Sequence, residues 1–303
     1  MAVKSFGIEN FAQYKNFDIS FGRGVNVLIG KNGVGKTILL KWLYMPMKQN
    51  WKLFGIDQKY VEKSNLFDYF AGIKFYEELH SIVDSKRVFI PAKEMLTHAK
   101  GLLAMKNKYG DNMPFDDTLL DIIEKAQAWK LKETPEIAKN IVKDLENTID
   151  GTVQTRDDGS FWMKKSDGSI IPFSMEADGF KRLGLLWQLL MNETITENTI
   201  VLWDEPEASI NPENIPVLVN AMLELSRRGV QIIAATHSYN FTRYFDILRN
   251  DGDNVNYYCL YKSDSGYTEY SQAGKFTELS PNPIDDAGEQ LYEKAIQKSM
   301  GEI

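Results

Sequence analysis

The hydrophobic pattern of this chain alternates between short apolar runs and longer amphipathic stretches. Strand-like apolar runs occur at four places, 25–29, 87–91, 199–203 and 230–235. Helical spacing of apolar residues is present at 38–43, 180–191 and 214–228. The run at 199–203 is typical of a parallel strand that is buried on both faces. Strands that alternate with helices in this way predict an α/β fold with a mainly parallel central sheet.

Other segments have the pattern of antiparallel strands. Residues 3–21 read as two short strands, which predicts an N-terminal hairpin before the first buried strand. Residues 152–173 read as three strands joined by Asp-Gly turns. Near the end, 255–261 and 267–271 predict an edge hairpin, and a helix is expected over 288–300.

Residues 97–150 differ in character, because apolar residues recur there at helical spacing among lysines. This pattern predicts a helical insertion inside a single domain that spans 1–303. Four lysines in and beside the insertion could line a nucleic-acid surface: Lys93, Lys100, Lys106 and Lys108. Acidic residues interrupt them, however, which favours a solvated helix face.

Composition and charge indicate which classes of protein this chain can belong to. The chain has 303 residues, 43% of them hydrophobic, and a formal net charge of −7. No global positive field attracts nucleic acid or an anionic membrane, although a local basic patch stays open. A single cysteine, Cys259, excludes an intrachain disulfide and fits a reducing compartment. Because the sequence has no run of about 20 apolar residues and no signal-peptide core, we expect a cytoplasmic protein without a membrane span.

Residues 30–37 match the phosphate-loop pattern G-x-x-x-x-G-K-[ST] between a strand-like run and a helix-like run. The loop consists of Gly30, Lys31, Asn32, Gly33, Val34, Gly35, Lys36 and Thr37. Its glycines allow backbone N–H groups to face a phosphate chain at the start of a helix. Lys36 is suited to the β- and γ-phosphates of ATP, and the Thr37 hydroxyl is suited to Mg²⁺.

The second half of the predicted site follows the run at 199–203. Asp204 and Glu205 lie at the carboxyl end of that strand, where open α/β sheets bind ligands. Asp204 is suited to hold Mg²⁺, and Glu205 to orient and deprotonate an attacking water. The alternative is that the two carboxylates cap the next helix.

His237 follows the next buried strand, and we therefore expect it at the same sheet edge as Glu205. There it would lie within reach of a γ-phosphate. The alternative is a structural histidine with satisfied hydrogen bonds.

These motifs resemble those of the ABC-type ATPases of the OLD, RecF and SMC class. More closely, the chain resembles small bacterial AAA-type ATP-binding proteins grouped with AbiEii-like and OLD-like proteins of toxin and phage-defence loci. Supporting stretches lie at 8–11, 90–94, 177–184 and 282–285. The resemblance implies an ABC-type P-loop NTPase fold and an ATP-sandwich dimer.

In such dimers a signature segment of one subunit contacts the γ-phosphate that the other subunit binds. The resemblance implies that Ala177, Asp178 and Gly179 form this segment, although the transporter-type Leu-Ser-Gly-Gly-Gln is absent. It also implies that Asn10 and Phe11 lie near the nucleotide base, with hairpin packing as the alternative for Phe11. Glu94 is the candidate substitute for the glutamine that senses Mg²⁺ in the family.

The leading hypothesis is an ATP-binding and hydrolysing switch that controls a separate effector protein, in a bacterial defence or toxin system. The segment between Thr37 and Asp204 is too short for a long coiled-coil arm, and the segment after His237 leaves little room for a nuclease domain. We therefore expect the effector to be another chain. The competing hypothesis is a RecF-like DNA-binding ATPase of repair. A transporter motor and a binding module that never hydrolyses ATP are weaker alternatives, the second because Glu205 supplies a base beside the metal ligand.

Overall fold

The computed structural model describes residues 2–44, 74–76, 86–110 and 113–301. The strands in this part are β1 (Ser5–Phe11), β2 (Tyr14–Ser20), β3 (Val25–Ile29), β4 (Lys74–Tyr76), β5 (Arg87–Ile90), β6 (Gly151–Thr155), β7 (Phe161–Lys165), β8 (Ile170–Pro172), β9 (Ile200–Asp204), β10 (Gln231–Ala235), β11 (Val255–Lys262) and β12 (Thr268–Ala273). The α-helices are α1 (Lys36–Tyr44), α2 (Leu102–Tyr109), α3 (Asp117–Ala126), α4 (Lys139–Ile149), α5 (Asp178–Met191), α6 (Ile215–Arg227), α7 (Tyr239–Leu248) and α8 (Pro283–Ser299).

The central sheet has six strands in the order β12-β11-β3-β10-β9-β5. The four contacts from β11 to β5 are parallel, and only the edge strand β12 is antiparallel. Strand β3 therefore lies between two parallel neighbours, and its carboxyl end meets theirs at one edge of the sheet. The predicted α/β class with a mainly parallel central sheet is confirmed.

The parallel strands are buried on both faces because alternate side chains enter two different cores. In β9, Leu202 packs in the core beneath the N-terminal hairpin and α1. Its neighbours Val201 and Trp203 pack in the opposite core with helices α3 to α7. The unbroken apolar run at 199–203 thus has a direct explanation, since helices or strands cover both sides of β9.

The N-terminal hairpin is also confirmed. Strands β1 and β2 pair antiparallel, with Ile8 opposite Phe17, and β4 joins the free edge of β1. The alternating burial of β2 follows its alternating sequence, because Phe17 and Ile19 face the core while Asp18 and Ser20 face solvent.

The segment 97–150 contains helices α2, α3 and α4, as its periodicity predicts. Helices α3 and α4 contribute Ile123, Leu145 and other buried residues to the same core as α5 and α6. The three predicted strands of 152–173 form a separate antiparallel sheet in the order β6-β7-β8, which leads directly into α5.

The predicted C-terminal edge hairpin is confirmed, since β11 and β12 pair antiparallel at one edge of the sheet. Its inner strand β11 also pairs in parallel with β3, with Val255 opposite Val25. The predicted start of the last helix needs correction. Helix α8 begins five positions before the predicted 288. The Asn282 side chain accepts a hydrogen bond from the Asp285 amide at 3.2 Å, and Pro283 occupies the first turn, so both favour the earlier start.

A buried amide holds β3 in place at the end of the sheet opposite its carboxyl edge. Asn26 is fully buried, and its side chain donates to the carbonyl oxygens of Gly22 and Ile232 and accepts from the Tyr258 hydroxyl. Because these partners come from the chain before β3, from β10 and from β11, the amide fixes the position of β3 along its two neighbouring strands. This in turn fixes where the loop after β3 begins.

Candidate nucleotide site

The loop 30–37 joins β3 to α1 at the carboxyl edge of the sheet. Gly30 and Gly35 have φ values of +146° and +101°, in the region that favours glycine. A Cβ atom on Gly30 would lie 2.3 Å from the Leu260 carbonyl oxygen, and one on Gly35 would lie 1.9 Å from the Gln13 side-chain nitrogen. Both positions therefore require glycine for conformation and for space.

Three side chains hold the carbonyl oxygens of this loop. The Tyr14 hydroxyl donates to the Gly35 oxygen at 2.9 Å, and the Thr268 hydroxyl donates to the Val34 oxygen at 3.0 Å. The Lys36 ammonium donates to the Gly30 oxygen at 2.7 Å. With carbonyl groups bound on these sides, the loop has a fixed shape before any ligand enters.

The charge of Lys36 is partly desolvated. Burial lowers the pKa of its ammonium group, and the nearby carboxylates of Asp204 and Glu205 act in the opposite direction. A cation placed at the start of a helix, in a loop of free N–H groups, is the arrangement that attracts phosphate oxygens.

Asp204 ends β9 and lies beside the start of α1. The Thr37 hydroxyl donates to Asp204 Oδ2 at 2.9 Å, across the intervening strand β10. Burial raises the pKa of the Asp204 carboxyl, whereas the Thr37 hydrogen bond opposes that shift. A hydroxyl and a carboxylate at hydrogen-bond distance are hard oxygen ligands, so this pair fits Mg²⁺ together with nucleotide phosphates.

Glu205 and His237 lie side by side at the same edge. His237 Nδ1 is 3.1 Å from Glu205 Oε1, and their side chains are 57% and 36% exposed. Glu205 has a φ of +47°, and its amide donates to the Ala235 carbonyl oxygen at 2.8 Å. The structure thus brings together the two residues predicted from separate strand ends, both accessible to a ligand.

The predicted signature segment lies at the start of α5. Ala177 precedes the first helical turn, and Asp178 pairs with Lys181 at 2.8 Å, so its charge is partly neutralised within the helix. A Cβ atom on Gly179 would lie 2.6 Å from the Ser209 carbonyl oxygen in the loop after β9. The segment therefore packs against the loop that carries Glu205, and its contact with a second copy stays a prediction.

Phe11 does not have the role that the resemblance implies. Only 3% of Phe11 is exposed, and its ring packs edge-to-face on Trp42 with centroids 5.1 Å apart. It cannot stack on a nucleotide base, so hairpin packing explains it. The Asn10 side chain lies outside the described residues.

Glu94 is engaged by local backbone groups. Its carboxylate accepts hydrogen bonds from the amides of Leu96 at 2.5 Å and Thr97 at 3.2 Å. These two amides begin the short 3-10 turn Leu96–His98. Its candidacy as a substitute for the Mg²⁺-sensing glutamine stays a prediction.

The four lysines considered for nucleic acid are not assembled into one bare patch. Lys100 pairs with Asp158 at 3.0 Å, and Lys106 pairs with Glu124 at 3.6 Å. The Lys93 ammonium lies 5.7 Å from the centre of the Phe115 ring, and that of Lys108 lies 5.2 Å from the Tyr109 ring. These contacts agree with a solvated helix face.

Sequence reasoning missed several residues around the site. Tyr14 and Thr268 hold the loop, yet they come from a hairpin and an edge strand with no motif of their own. Glu207 accepts from the Thr236 hydroxyl at 2.6 Å, and Arg182 Nη1 lies 3.4 Å from the Glu205 carbonyl oxygen. The only sequence signal for these two was their proximity to Asp204 and to the signature segment.

Two wider features bear on function. In the described part of the chain, no helix is both long and apolar enough to cross a membrane. In that same part, no group of three or more His, Cys, Asp or Glu side chains is arranged to hold a metal ion. A divalent cation at Thr37 and Asp204 would therefore need further ligands from a nucleotide and water.

Comparisons with known proteins agree with this geometry. The family model described as "AAA domain, putative AbiEii toxin, Type IV TA system" matches residues 70–243, more than half of the chain. A second model, described as an AAA ATPase domain, matches residues 1–95. The DNA replication and repair protein RecF of Clostridioides difficile is 44% identical over 45 residues, which are 15% of this chain and 12% of that protein.

Solved structures show the same fold. An SMC head bound to the C-terminal winged-helix domain of ScpA matches with a TM-score of 0.55 and 13% identity, covering 90% of this chain and 98% of that chain. The SMC head domain from Thermotoga maritima matches with a TM-score of 0.50 and 14% identity, covering 90% and 99%. At these identities the likeness concerns the fold alone.

The hydroxyl of Tyr14 provides a test of the preformed loop. We expect Tyr14→Phe to lower the free energy of unfolding by about 1 kcal/mol, because the Gly35 carbonyl loses its buried donor. Amide exchange measured by mass spectrometry should accelerate over residues 33–37. The control is Tyr292→Phe, since Tyr292 is 69% exposed; equal exchange in the two variants would contradict the holding role of Tyr14.

Proposed function

Because the chain belongs to the family described as "AAA domain, putative AbiEii toxin, Type IV TA system", we propose that it is an ATP-driven switch that controls a separate effector protein. The switch binds ATP with Mg²⁺, closes into a dimer around the nucleotide, and reopens after hydrolysis. The observation that carries this proposal is the convergence of the loop 30–37, the Thr37–Asp204 pair and the Glu205–His237 pair at one sheet edge.

The loop 30–37 and Lys36 bind the phosphate chain of ATP. Free N–H groups at the start of α1 and the ammonium group of Lys36 supply positive potential at this point. Mg²⁺, when bound, neutralises charge on the phosphate oxygens. Thr37 and Asp204, which lie at hydrogen-bond distance, would hold it by their oxygen atoms.

Glu205 orients a water molecule and accepts its proton at the carboxylate. His237, whose Nδ1 lies 3.1 Å from Glu205 Oε1, contacts the γ-phosphate and so senses its presence. Both side chains are accessible, and the backbone of Glu205 is held by the Ala235 carbonyl, which limits how far the carboxylate moves. Fixed geometry of this kind is the main contribution that a protein makes to phosphoryl transfer.

Dimer closure uses residues 177–179 of a second copy. The N-terminal end of α5 carries partial positive charge, which favours contact with a bound γ-phosphate. Gly179 packs against the loop after β9 of its own chain. Closure of residues 177–179 on the nucleotide of one subunit would therefore shift the loop after β9, which carries Glu205, in the other subunit.

The effector is a separate protein, a toxin or a nuclease of a bacterial defence system. The family description names a putative toxin and a type IV TA system, which supports a role in such a system. Family membership is the only support for this part of the proposal.

A second candidate is a RecF-like ATPase that binds DNA. It is favoured by one specific observation, the 45-residue likeness to RecF of Clostridioides difficile. The net charge of −7 and the paired lysines Lys100 and Lys106 weigh against it. If this candidate is right, DNA affinity should fall steeply with salt, since each phosphate contact releases counterions.

Removal of the Lys36 ammonium tests nucleotide binding. We expect Lys36→Ala to weaken ATP affinity at least about tenfold, because a charge-assisted hydrogen bond to phosphate is worth roughly 1.5–3 kcal/mol. The measurement is titration with a fluorescent ATP analogue. Lys139→Ala removes a lysine of α4 that is paired with Glu136, and should leave affinity unchanged; similar affinities in both variants would refute the phosphate-binding role.

Replacement of the Glu205 carboxylate tests hydrolysis. We expect Glu205→Gln to bind ATP normally but to hydrolyse it about a hundredfold more slowly, the usual effect of losing a general base. Phosphate release at saturating ATP measures the rate. Glu213→Gln, an exposed glutamate in the connection after β9, is the matched control. Turnover of Glu205→Gln at the wild-type rate would exclude Glu205 as the base.

The partner can be identified with the same variant. We expect affinity purification of Glu205→Gln from its native host, with ATP and Mg²⁺, to retain a stoichiometric protein that is lost without ATP. The physical reason is that blocked hydrolysis prolongs the closed state. Recovery of nuclease-sensitive DNA without a protein partner would favour the RecF-like candidate instead.

A further inference from the structure

Two side-chain links join the loop after β9 to the loop after β10. The outer link is the contact between Glu205 and His237, whose side chains are partly exposed. The inner link is the hydrogen bond from the Thr236 hydroxyl to Glu207 Oε1 at 2.6 Å. Glu207 is 8% exposed and Thr236 is fully buried, so the inner link is shielded from water.

The inner link involves the two sequence neighbours of His237, Thr236 and Ser238. The Thr236 hydroxyl donates to Glu207 and at the same time accepts from the amide of Ser238 at 2.9 Å. The two residues that flank His237 are therefore tied to each other and to Glu207. This tie fixes the backbone on both sides of His237, and therefore the point from which its imidazole reaches Glu205.

The loop that carries Glu205 needs such a tie. The backbone of Glu205 is in the left-handed region at φ +47°, which is unfavourable for a non-glycine residue. The loop then turns tightly, with the Ala208 amide bonded to the Glu205 carbonyl at 3.1 Å and the Ile210 amide to the Glu207 carbonyl at 3.0 Å. Glu207 lies inside this turn, so the bond from Thr236, directly after β10, to its side chain fixes the turn as a whole.

A glutamate at position 207 lowers the stability of the fold relative to an apolar residue. Burial raises the pKa of its carboxyl, and Oε2 has no hydrogen-bond partner among the described residues. An apolar side chain would avoid both costs. The benefit of a carboxyl group at this position is therefore expected in the geometry of the neighbouring site.

We propose that Glu207 is a positioning residue for ATP hydrolysis, which acts through the Thr236 hydroxyl to hold His237 against Glu205. The inference rests on the proposed function, because it assigns Glu207 to the same hydrolytic site. Among the described residues no hydrogen bond joins Glu207 or Thr236 to the loop 30–37, and the Glu207 carboxylate acts on Lys36 only through its charge, after Asp204 and Glu205. Loss of the inner link should therefore affect turnover and leave the binding of ATP intact.

The experiment compares kcat and KM for ATP in the full chain. We expect Thr236→Val and Glu207→Met each to lower kcat at least about tenfold, since small displacements of catalytic groups have effects of that size or larger. KM should change less than about twofold. Thr236→Ser keeps the hydroxyl and should retain kcat within about threefold of the wild type.

Thr199→Val is the matched control for structural damage. Thr199 is fully buried and its hydroxyl accepts from the Thr196 amide at 3.0 Å, much as Thr236 accepts from Ser238, but it lies at the opposite end of β9. Melting temperatures are recorded for all variants. An equal loss of kcat in Thr199→Val and Thr236→Val would overturn the proposal, as would unchanged kcat in Thr236→Val and Glu207→Met.

A double variant tests whether Thr236 acts through His237 or affects the whole site. In His237→Ala the imidazole is already absent, so adding Thr236→Val should lower kcat no further. A full additional loss in the double variant would overturn the proposal while leaving the proposed function intact. Wild-type rates in both His237→Ala and Glu205→Gln would instead refute the proposed chemistry, and the inference with it.

Discussion

The hydrogen bond between the Thr37 hydroxyl and the Asp204 carboxylate organises this molecule. It joins the first turn of α1 to the end of β9 at 2.9 Å, although 167 positions of the sequence separate the two residues. The sheet order β3, β10, β9 brings them together. A parallel sheet places the carboxyl ends of its strands at one edge, and this bond depends on that placement. The Glu205–His237 contact depends on it equally, since it joins the ends of β9 and β10.

The burial that stabilises the sheet also determines the electrostatics of its edge. Helices or strands cover both faces, so the strand ends emerge from two apolar cores. Desolvation lowers the pKa of Lys36 and raises that of Asp204, and in both cases it disfavours the charged form. The opposite charges of the two residues counteract this effect. A site of this kind interacts strongly with a highly charged ligand such as a nucleotide with its metal ion, because water screens it poorly.

The residues of the site differ in how far along the chain their sequence signals extend. The signal for the phosphate loop is local, since its glycine positions and the lysine follow one another along the chain. Asp204, Glu205 and His237 need the sheet, but each follows an apolar strand, and that context made them predictable. Tyr14, Thr268 and Thr236 have no signal for these contacts, and Glu207 has only its proximity to Asp204, because each acts through a partner from a distant segment. The choice between the two alternatives for Phe11 has the same origin, as its contact with Trp42 joins the hairpin to α1.

The sequence by itself determined the α/β class, the N-terminal hairpin, the helical segment 97–150 and the residues that end the buried strands. These follow from periodicity, turn residues and a contiguous motif, which are properties of neighbouring positions. Only the tertiary structure decided that β11 lies inside the sheet beside β3, that α8 begins at Pro283, and that Glu207 bonds to Thr236. The physical reason is that strand pairing and buried hydrogen bonds depend on which distant segments meet, and an apolar run does not specify its neighbour.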